Sequence, residues 1–378
     1  MTRRAEGLWF WGSATAAIAL HTLLLFGPDG LRGGADLRPH LRLIQLMGEA
    51  PALRSIYPPA YHALGALLAP WVGLALYPKL FALASAAALI GGFRVFQRAA
   101  GLPGAAAAIF AWAPYTFALS WCLPKVEAAG YALALVALGQ LSKRRYPALA
   151  ALVVATFAVH TAAALFLGLC GGVLALVQRD RRALLALTTG ALASTPLFAA
   201  HLAAGCTLAQ AFLFSQGDYL RTTDHIGSLA NWDTLVALAS PVALGAALVG
   251  APLLWREQRA VALTGGVIIA LYLNELWLAP FGARTTLNLM RGLTVLAIPV
   301  SLAAGMAVAK YPRWAGVVIA ACAIWAIGSA ALVVPGSCSV RSIQLDEIDS
   351  LRVDRCTFRW NAPRRVQRAL SSPNSRAR

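Results

Sequence analysis

The chain reads as an all-α, polytopic transmembrane helical bundle of about 11 to 12 spans. Two observations predict this. Hydrophobic residues make up 59% of the 378 positions, charged residues only 12%, and mean hydropathy is +0.66, where soluble domains carry about 25% charged residues. Apolar runs long enough to cross a bilayer, about 18 residues with few charges, recur along the chain, with basic clusters between them. A β-barrel is excluded, because its strands alternate polar and apolar over about ten residues.

The elements follow in order. Arg3-Arg4 precedes an apolar run from Leu8 to Phe26 with no small-residue cleavage site after it. This predicts a signal-anchor helix with its N-terminus in the cytoplasm. A polar outer loop follows, Gly33-Gly34-Ala35-Asp36-Leu37-Arg38-Pro39-His40. In it Leu37, Leu41, Ile44 and Met47 recur at helical spacing, with Arg38, Arg42 and Gln45 elsewhere on the helix. That pattern predicts a short helix lying in the membrane interface. Later spans are expected near 59–76, 79–96, 103–120, 127–141, 147–160, 162–177, 183–201, 232–255, 260–278, 289–309 and 314–333. Lys143-Arg144-Arg145, Arg179 to Arg182, Arg256 with Arg259, and Lys310 with Arg313 are then cytoplasmic. Four spans between the Asp36 loop and Lys143 have the wrong parity. Pro58, Pro59, Pro70 and Pro78 mark one piece there as re-entrant or surface-lying, a break tolerated where backbone lines a cavity. Residues 1–334 thus form a membrane domain, and 335–378 a polar tail expected outside and partly disordered.

The net charge of +17 has its explanation in these cytoplasmic turns rather than in nucleic-acid binding, for which no basic soluble domain is present. Cys122, Cys170, Cys206 and Cys322 lie in or beside apolar runs and read as small core residues. Cys338 and Cys356 lie in the polar tail, where an oxidising compartment allows a disulfide. No Cys/His spacing fits zinc.

On this topology all six histidines fall on the outer half, and so do Asp29, Asp36, Asp218, Asp224, Asp233 and Glu275. Polar chemistry is therefore expected at the extracytoplasmic face. Asp36 is the candidate base, with helix capping as its competing role. His21 and His201 read as interhelical hydrogen-bond partners. His160 falls at an outer turn. Arg284 and Arg291, seven residues apart, share a face if they lie on one helix, and two guanidinium groups there can clamp a phosphate. Lys125 either pairs with Glu127 or adds a cation to the same site.

Three features then resemble one family. Gly34-Ala35-Asp36 through His40 gives Gly-x-Asp-x-x-x-His after a signal-anchor helix. Tyr57-Pro58-Pro59-Ala60-Tyr61-His62 opens the next apolar segment, and a late span begins with Arg291 and carries Ile298-Pro299. Over about residues 1–310 the chain resembles the GT-C class of integral-membrane glycosyltransferases, which includes protein mannosyltransferases and the lipid A aminoarabinose transferase. The resemblance implies a multi-pass cell-envelope enzyme. It would transfer a sugar from a polyprenyl-phosphate donor to a glycan, lipid or protein acceptor outside the cell membrane. Asp36 would be the general base, and Tyr57 to Pro59 would set the loop against the second helix. Arg291 would hold the donor's phosphate. Arg38, His40, Tyr57, His62, Lys125, His160, Arg284 and Arg291 are the expected substrate-binding residues. No protein-held metal site is implied; a divalent cation is left open, because many members carry two adjacent acids where this chain has Asp36 alone. Direct displacement inverts the anomeric centre. The competing functions are a transporter or flippase of a lipid-linked anion, with Arg291 and Glu275 on its path, and a non-catalytic assembly subunit.

Overall fold

The computed structural model describes residues 3–26, 32–33, 37–49, 58–113, 126–203, 205–207, 240–272, 289–332, 341–342, 352–353 and 360–361. These residues form an all-α bundle with four two-residue strands at its polar end. Helix α1 is Arg3–Leu25 and α2 is Leu37–Glu49. Helix α3 is Ala60–Val72, α4 Leu76–Ala99 and α5 Ala105–Ala111. Then come α6 (Glu127–Ser142), α7 (Tyr146–Val159), α8 (Thr161–Val177), α9 (Arg181–Ala193) and α10 (Thr195–Ala203). The last helices are α11 (Pro241–Glu257), α12 (Arg259–Tyr272), α13 (Leu289–Lys310) and α14 (Ala315–Leu332). Among the described residues, four stretches are long and apolar enough to cross a membrane: Arg4–Leu25, Leu76–Ala99, Arg181–Ala203 and Pro312–Ser329. Shorter apolar helices, among them Tyr146–Val159 and Thr161–Val177, stand between them. The chain is a membrane protein.

Small residues let these helices approach closely. Residues 105–111 of α5 are buried all round, and so are residues 301–308 of α13. A side chain at Gly92 of α4 would meet the carbonyl oxygen of Ala132 at 2.7 Å, and one at Gly190 of α9 would meet that of Ala150 at 2.7 Å. Between apolar helices in lipid, van der Waals contact and not water exclusion drives association, so small residues at crossings are the expected solution.

The basic turns converge on one end. Gly139 of α6 lies against Phe96 of α4, which sets the Lys143 turn beside Arg94 and Arg98. The Tyr146 hydroxyl donates to both carboxylate oxygens of Asp180, at 3.2 and 3.0 Å, and ties that turn to Arg179–Arg182. Gly104 lies beside Glu6 and Arg94, and Gly101 faces Gln258, so the start of α1 and the end of α11 join the same end. Two of these helix exits share one geometry. Arg144 and Arg179 take φ of 56° and 54°, and the following residues donate back to Gln140 and Ala175 at 2.9 and 2.8 Å, the Schellman pattern.

Three expectations are corrected here. The segment 59–76 is not a span. Helix α3 has 13 residues, contains Pro70, and stops at Gly73, whose φ of +86° reverses the chain before α4. Leu64, Leu67, Leu68 and Trp71 are its exposed side, while Tyr61, His62 and Gly65 are buried. A non-spanning α3 removes the parity conflict, since α1 and α4 are then consecutive crossings. Second, α2 does not rest its apolar stripe on lipid. Leu37, Leu41 and Ile44 are buried in a cluster with Tyr61 and Tyr77, and Leu43 and Met47 pack with Ala66. Third, Cys206 is disulfide-bonded rather than a lone core thiol; Cys170 and Cys322 are free and buried, as expected.

Candidate functional site

The end opposite the basic turns is built where α2, α3 and the first turns of α4 and α6 meet. Leu37, Leu41, Ile44, Tyr61, Tyr77 and Val126 form one buried cluster there, with Val159 packed against it. Gly65 permits the junction, because a side chain on it would strike Ile44 at 2.7 Å and Tyr77 at 2.8 Å. Helix α2 starts at Leu37, so Asp36 immediately precedes its first turn in sequence. The Tyr77 hydroxyl donates to the Tyr61 carbonyl at 2.7 Å and pins the start of α4 to α3.

Two histidines expected at the site are brought together. His40 Nδ1 and His62 Nε2 are 2.8 Å apart, with the rings stacked at 5.1 Å and 27°. The Tyr61 ring stands edge-on to His40 at 5.7 Å. The tautomers follow from the end of the chain of bonds. A carbonyl can only accept, so His62 Nδ1 donates to Pro58 O at 3.4 Å. His62 Nε2 is then the acceptor and His40 Nδ1 the donor. His62 is 1% exposed; it cannot itself meet a substrate from solvent, and it fixes the ring of half-buried His40.

Burial first, and then neighbouring His40, hold His62 well below the ordinary imidazole range, while the Pro58 carbonyl pulls weakly the other way. Helix α3 lies outside the spanning helices, so this group has a water-facing reference. The unfolded chain takes up a proton near pH 6.5 that folded His62 refuses. Its stabilising effect is therefore complete above about pH 6.5 and is lost as pH falls below it, by at most about 1.4 kcal/mol per pH unit. Thermal melting of the detergent-solubilised protein should show this as a drop between about pH 7.5 and pH 5. His62→Gln, which keeps a donor and an acceptor, should flatten that drop; an unchanged profile would contradict the assignment.

A second pair sits beside Val126 and Val159. His160, in extended backbone at φ −159°, separates α7 from α8 and caps α8, its Nδ1 accepting from the Ala163 N–H at 3.3 Å. The proton is thereby placed on Nε2, which lies 3.8 Å from Glu127 Oε1. Glu127 is 7% exposed and opens α6. Gly130 makes the crossing possible, since a side chain there would strike His160 Cβ at 2.6 Å. His160 thus spends one ring nitrogen on a helix cap and turns the other toward Glu127. Glu127 thus faces His160, while Lys125, its other expected partner, lies outside the described residues.

Other expected site residues fall elsewhere. Asp36, Tyr57, Lys125 and Arg284 lie outside the described residues, and so do Asp29, Glu275 and the cysteines 122, 338 and 356. Arg291 lies in the first turn of α13; with Arg284 outside, their shared face is not described. Arg38 is half-buried on α2, and His21 and His201 are buried in α1 and α10. Among the described residues no group of three or more His, Cys, Asp or Glu side chains is placed to hold a metal ion. Sequence reading missed Glu127 as a buried carboxylate at this end. The only local signal was its place at the start of a helix next to a broken segment.

No family model and no curated protein matches the chain. Solved structures do. The crystal structure of ArnT from Cupriavidus metallidurans bound to undecaprenyl phosphate superposes with a TM-score of 0.56 at 14% identity, covering 85% of this chain and 75% of that one. The apo state of the same protein gives 0.53 at 18% identity, covering 81% of this chain and 62% of that one. Identity this low carries the fold and nothing finer. The chain shares the fold of ArnT.

Proposed function

We propose that this protein is a polyprenyl-phosphate-dependent membrane glycosyltransferase working at the extracytoplasmic face. The observation that carries the reading is the ArnT-like fold, combined with the gathering of buried polar pairs at the end opposite the basic turns. The positive-inside bias assigns those turns to the cytoplasm. Cys206, just beyond α10 at the other end, is disulfide-bonded, which suits an oxidising compartment.

In this reading an acceptor hydroxyl attacks the anomeric carbon of the donor. Its proton passes to the Asp36 carboxylate, and the bond to the phosphate oxygen breaks with its electron pair, leaving polyprenyl phosphate and an inverted glycoside. Arg284 and Arg291, with Lys125, hold the departing phosphate. Arg38 and His40 contact substrate from α2, and Tyr57 sets the first loop. His62 and His160 act one step back, as positioning residues for His40 and Glu127. The sugar class is that of the mannosyltransferases or a related hexose or pentose, and the acceptor a component of the cell envelope.

The test is bond cleavage. Purified full-length protein in liposomes is given polyprenyl-phosphate-linked sugars together with envelope extract, and released polyprenyl phosphate is followed by chromatography. A transferase releases it in step with glycosylated acceptor. A transporter carries the intact donor across the bilayer with no release, and that result would replace this reading.

A further inference from the structure

A groove lies at the basic end of the bundle, opposite the candidate site. Helices α1 and α14 both pack on α5, a helix of seven residues. A Cβ at Gly316, in the first turn of α14, would be 3.3 Å from the Trp9 ring, so α14 starts beside the start of α1. Below that contact an apolar groove of about 570 Å³ follows α1 from Ala5 to Ser13. Eight residues of helix rise about 12 Å at about 1.5 Å each. The groove therefore reaches most of the way through one leaflet of a hydrocarbon core about 30 Å thick. Small residues hollow it out, Gly12 on α1 and Ala320 and Ala323 on α14, between Trp9, Trp112 and Ile319. A Cβ at Gly12 would meet nothing within 4 Å, so that position opens directly into the space.

The mouth of this groove is cationic. Arg4 immediately precedes Ala5, and Arg313 stands three residues before Gly316; both are exposed. Glu6 and Arg94 would both touch a side chain at Gly104, each at 2.9 Å, so the Glu6 carboxylate lies on the Arg94 side of α1. Trp9 and Trp314 are exposed at 39% and 52%, and the Arg313 guanidinium lies 5.9 Å from the Trp314 ring centre. Tryptophan gathers at the level of the lipid headgroups, which places the mouth there and the groove beneath it. We propose that the groove holds one acyl chain of an anionic phospholipid of the cytoplasmic leaflet, with the lipid phosphate between Arg4 and Arg313. The apolar walls accept a chain from any lipid, and the cations select among headgroups. Guanidinium groups match phosphate oxygens in pairs of parallel hydrogen bonds, and anionic lipids are concentrated in the cytoplasmic leaflet. A seated chain adds van der Waals contact between α1 and α14, the term that holds helices together in lipid. The proposal does not rest on the transferase reading, which puts the donor phosphate at the opposite end.

The experiment uses the full chain in detergent, titrated with dioleoyl phosphatidylglycerol or with dioleoyl phosphatidylcholine and read by native mass spectrometry. Wild-type protein should retain one phosphatidylglycerol in preference to phosphatidylcholine. G12L, whose side chain enters the groove, should lose that lipid while its melting temperature stays at or above wild type, since glycine weakens a helix interior. A320F fills the same space from α14 and should lose it too. R4Q/R313Q should weaken phosphatidylglycerol by about tenfold or more and leave phosphatidylcholine unchanged. G245L, the same addition at an open position on α11, should retain the lipid. Equal retention of the two lipids by wild type overturns the proposal. So does phosphatidylglycerol kept by both G12L and A320F, or an equal loss in G245L. Undecaprenyl phosphate displacing phosphatidylglycerol one for one would make the groove a polyprenyl site instead. A wild-type dimer that G12L splits would make it an interface between two copies.

Discussion

Asp36→Asn should abolish sugar transfer while leaving the folded protein intact. A positioned general base contributes about 10²- to 10⁴-fold to the rate, so kcat should fall by that order. Asp36 has a competing role, because α2 begins at Leu37 and Asp at the preceding position is a common helix cap. Asparagine separates the two roles. It caps a helix about as well as aspartate but takes up no proton at neutral pH. The melting temperature and undecaprenyl phosphate affinity of D36N should therefore match wild type, and only turnover should drop. Asp36→Ala is the complement: it removes the cap too, and should cost about 1 kcal/mol of stability besides the activity. Transfer by D36N at near wild-type rate would remove Asp36 as base and turn attention to Glu127, the buried carboxylate that opens α6.

Much of the scaffold was legible because it is written in local composition. The expected spans 79–96, 162–177 and 289–309 correspond to Leu76–Ala99, Thr161–Val177 and Leu289–Lys310. The basic clusters mark turns that share one end, since hydropathy and charge are set residue by residue. Helix α2 was visible in the spacing of Leu37, Leu41, Ile44 and Met47, but its surroundings were not. An amphipathic stripe looks the same whether lipid or protein covers it, and here Tyr61 and Tyr77 do. The segment 59–76 misled for a related reason. Its apolar composition suits a span, but Gly73 turns the chain after 13 helical residues. At the site, the reading singled out His40, His62 and His160 as outer polar groups, and the structure pairs the first two directly. The partnership of His160 with Glu127, 33 residues earlier, and the return of Arg341 to Gly33 are long-range pairings that carry no local signal.

Gly250→Ala should destabilise the bundle far more than any other single methyl addition in α11, because it lands on backbone. A side chain at Gly250 would sit on the Ala303 carbonyl oxygen, 2.7 Å from Ala303 C and 2.9 Å from Ala307 N. Added volume in a packed interior ordinarily costs about 1–3 kcal/mol, because side chains rotate away. Backbone atoms have no rotamer to offer, so α13 itself must move. Its other side is closed: Gly305 lies so near α5 that a Cβ there would be 2.5 Å from Ala106 Cβ, and residues 301–308 are buried all round. Helix α13 is held between two helices at backbone distance, and separating one contact presses the other. The same helix carries Arg291 in its first turn, so a displaced α13 should also weaken binding of undecaprenyl phosphate. Gly245 supplies the control on the same helix, since a Cβ there meets nothing within 4 Å. Removing its backbone freedom should leave stability unchanged or raise it by about 0.5–1 kcal/mol. Thermal melting of G250A and G245A in the same detergent reads the difference. Equal melting temperatures would mean that α11 and α13 do not meet at backbone distance, and that the small residues along both helices have some other cause.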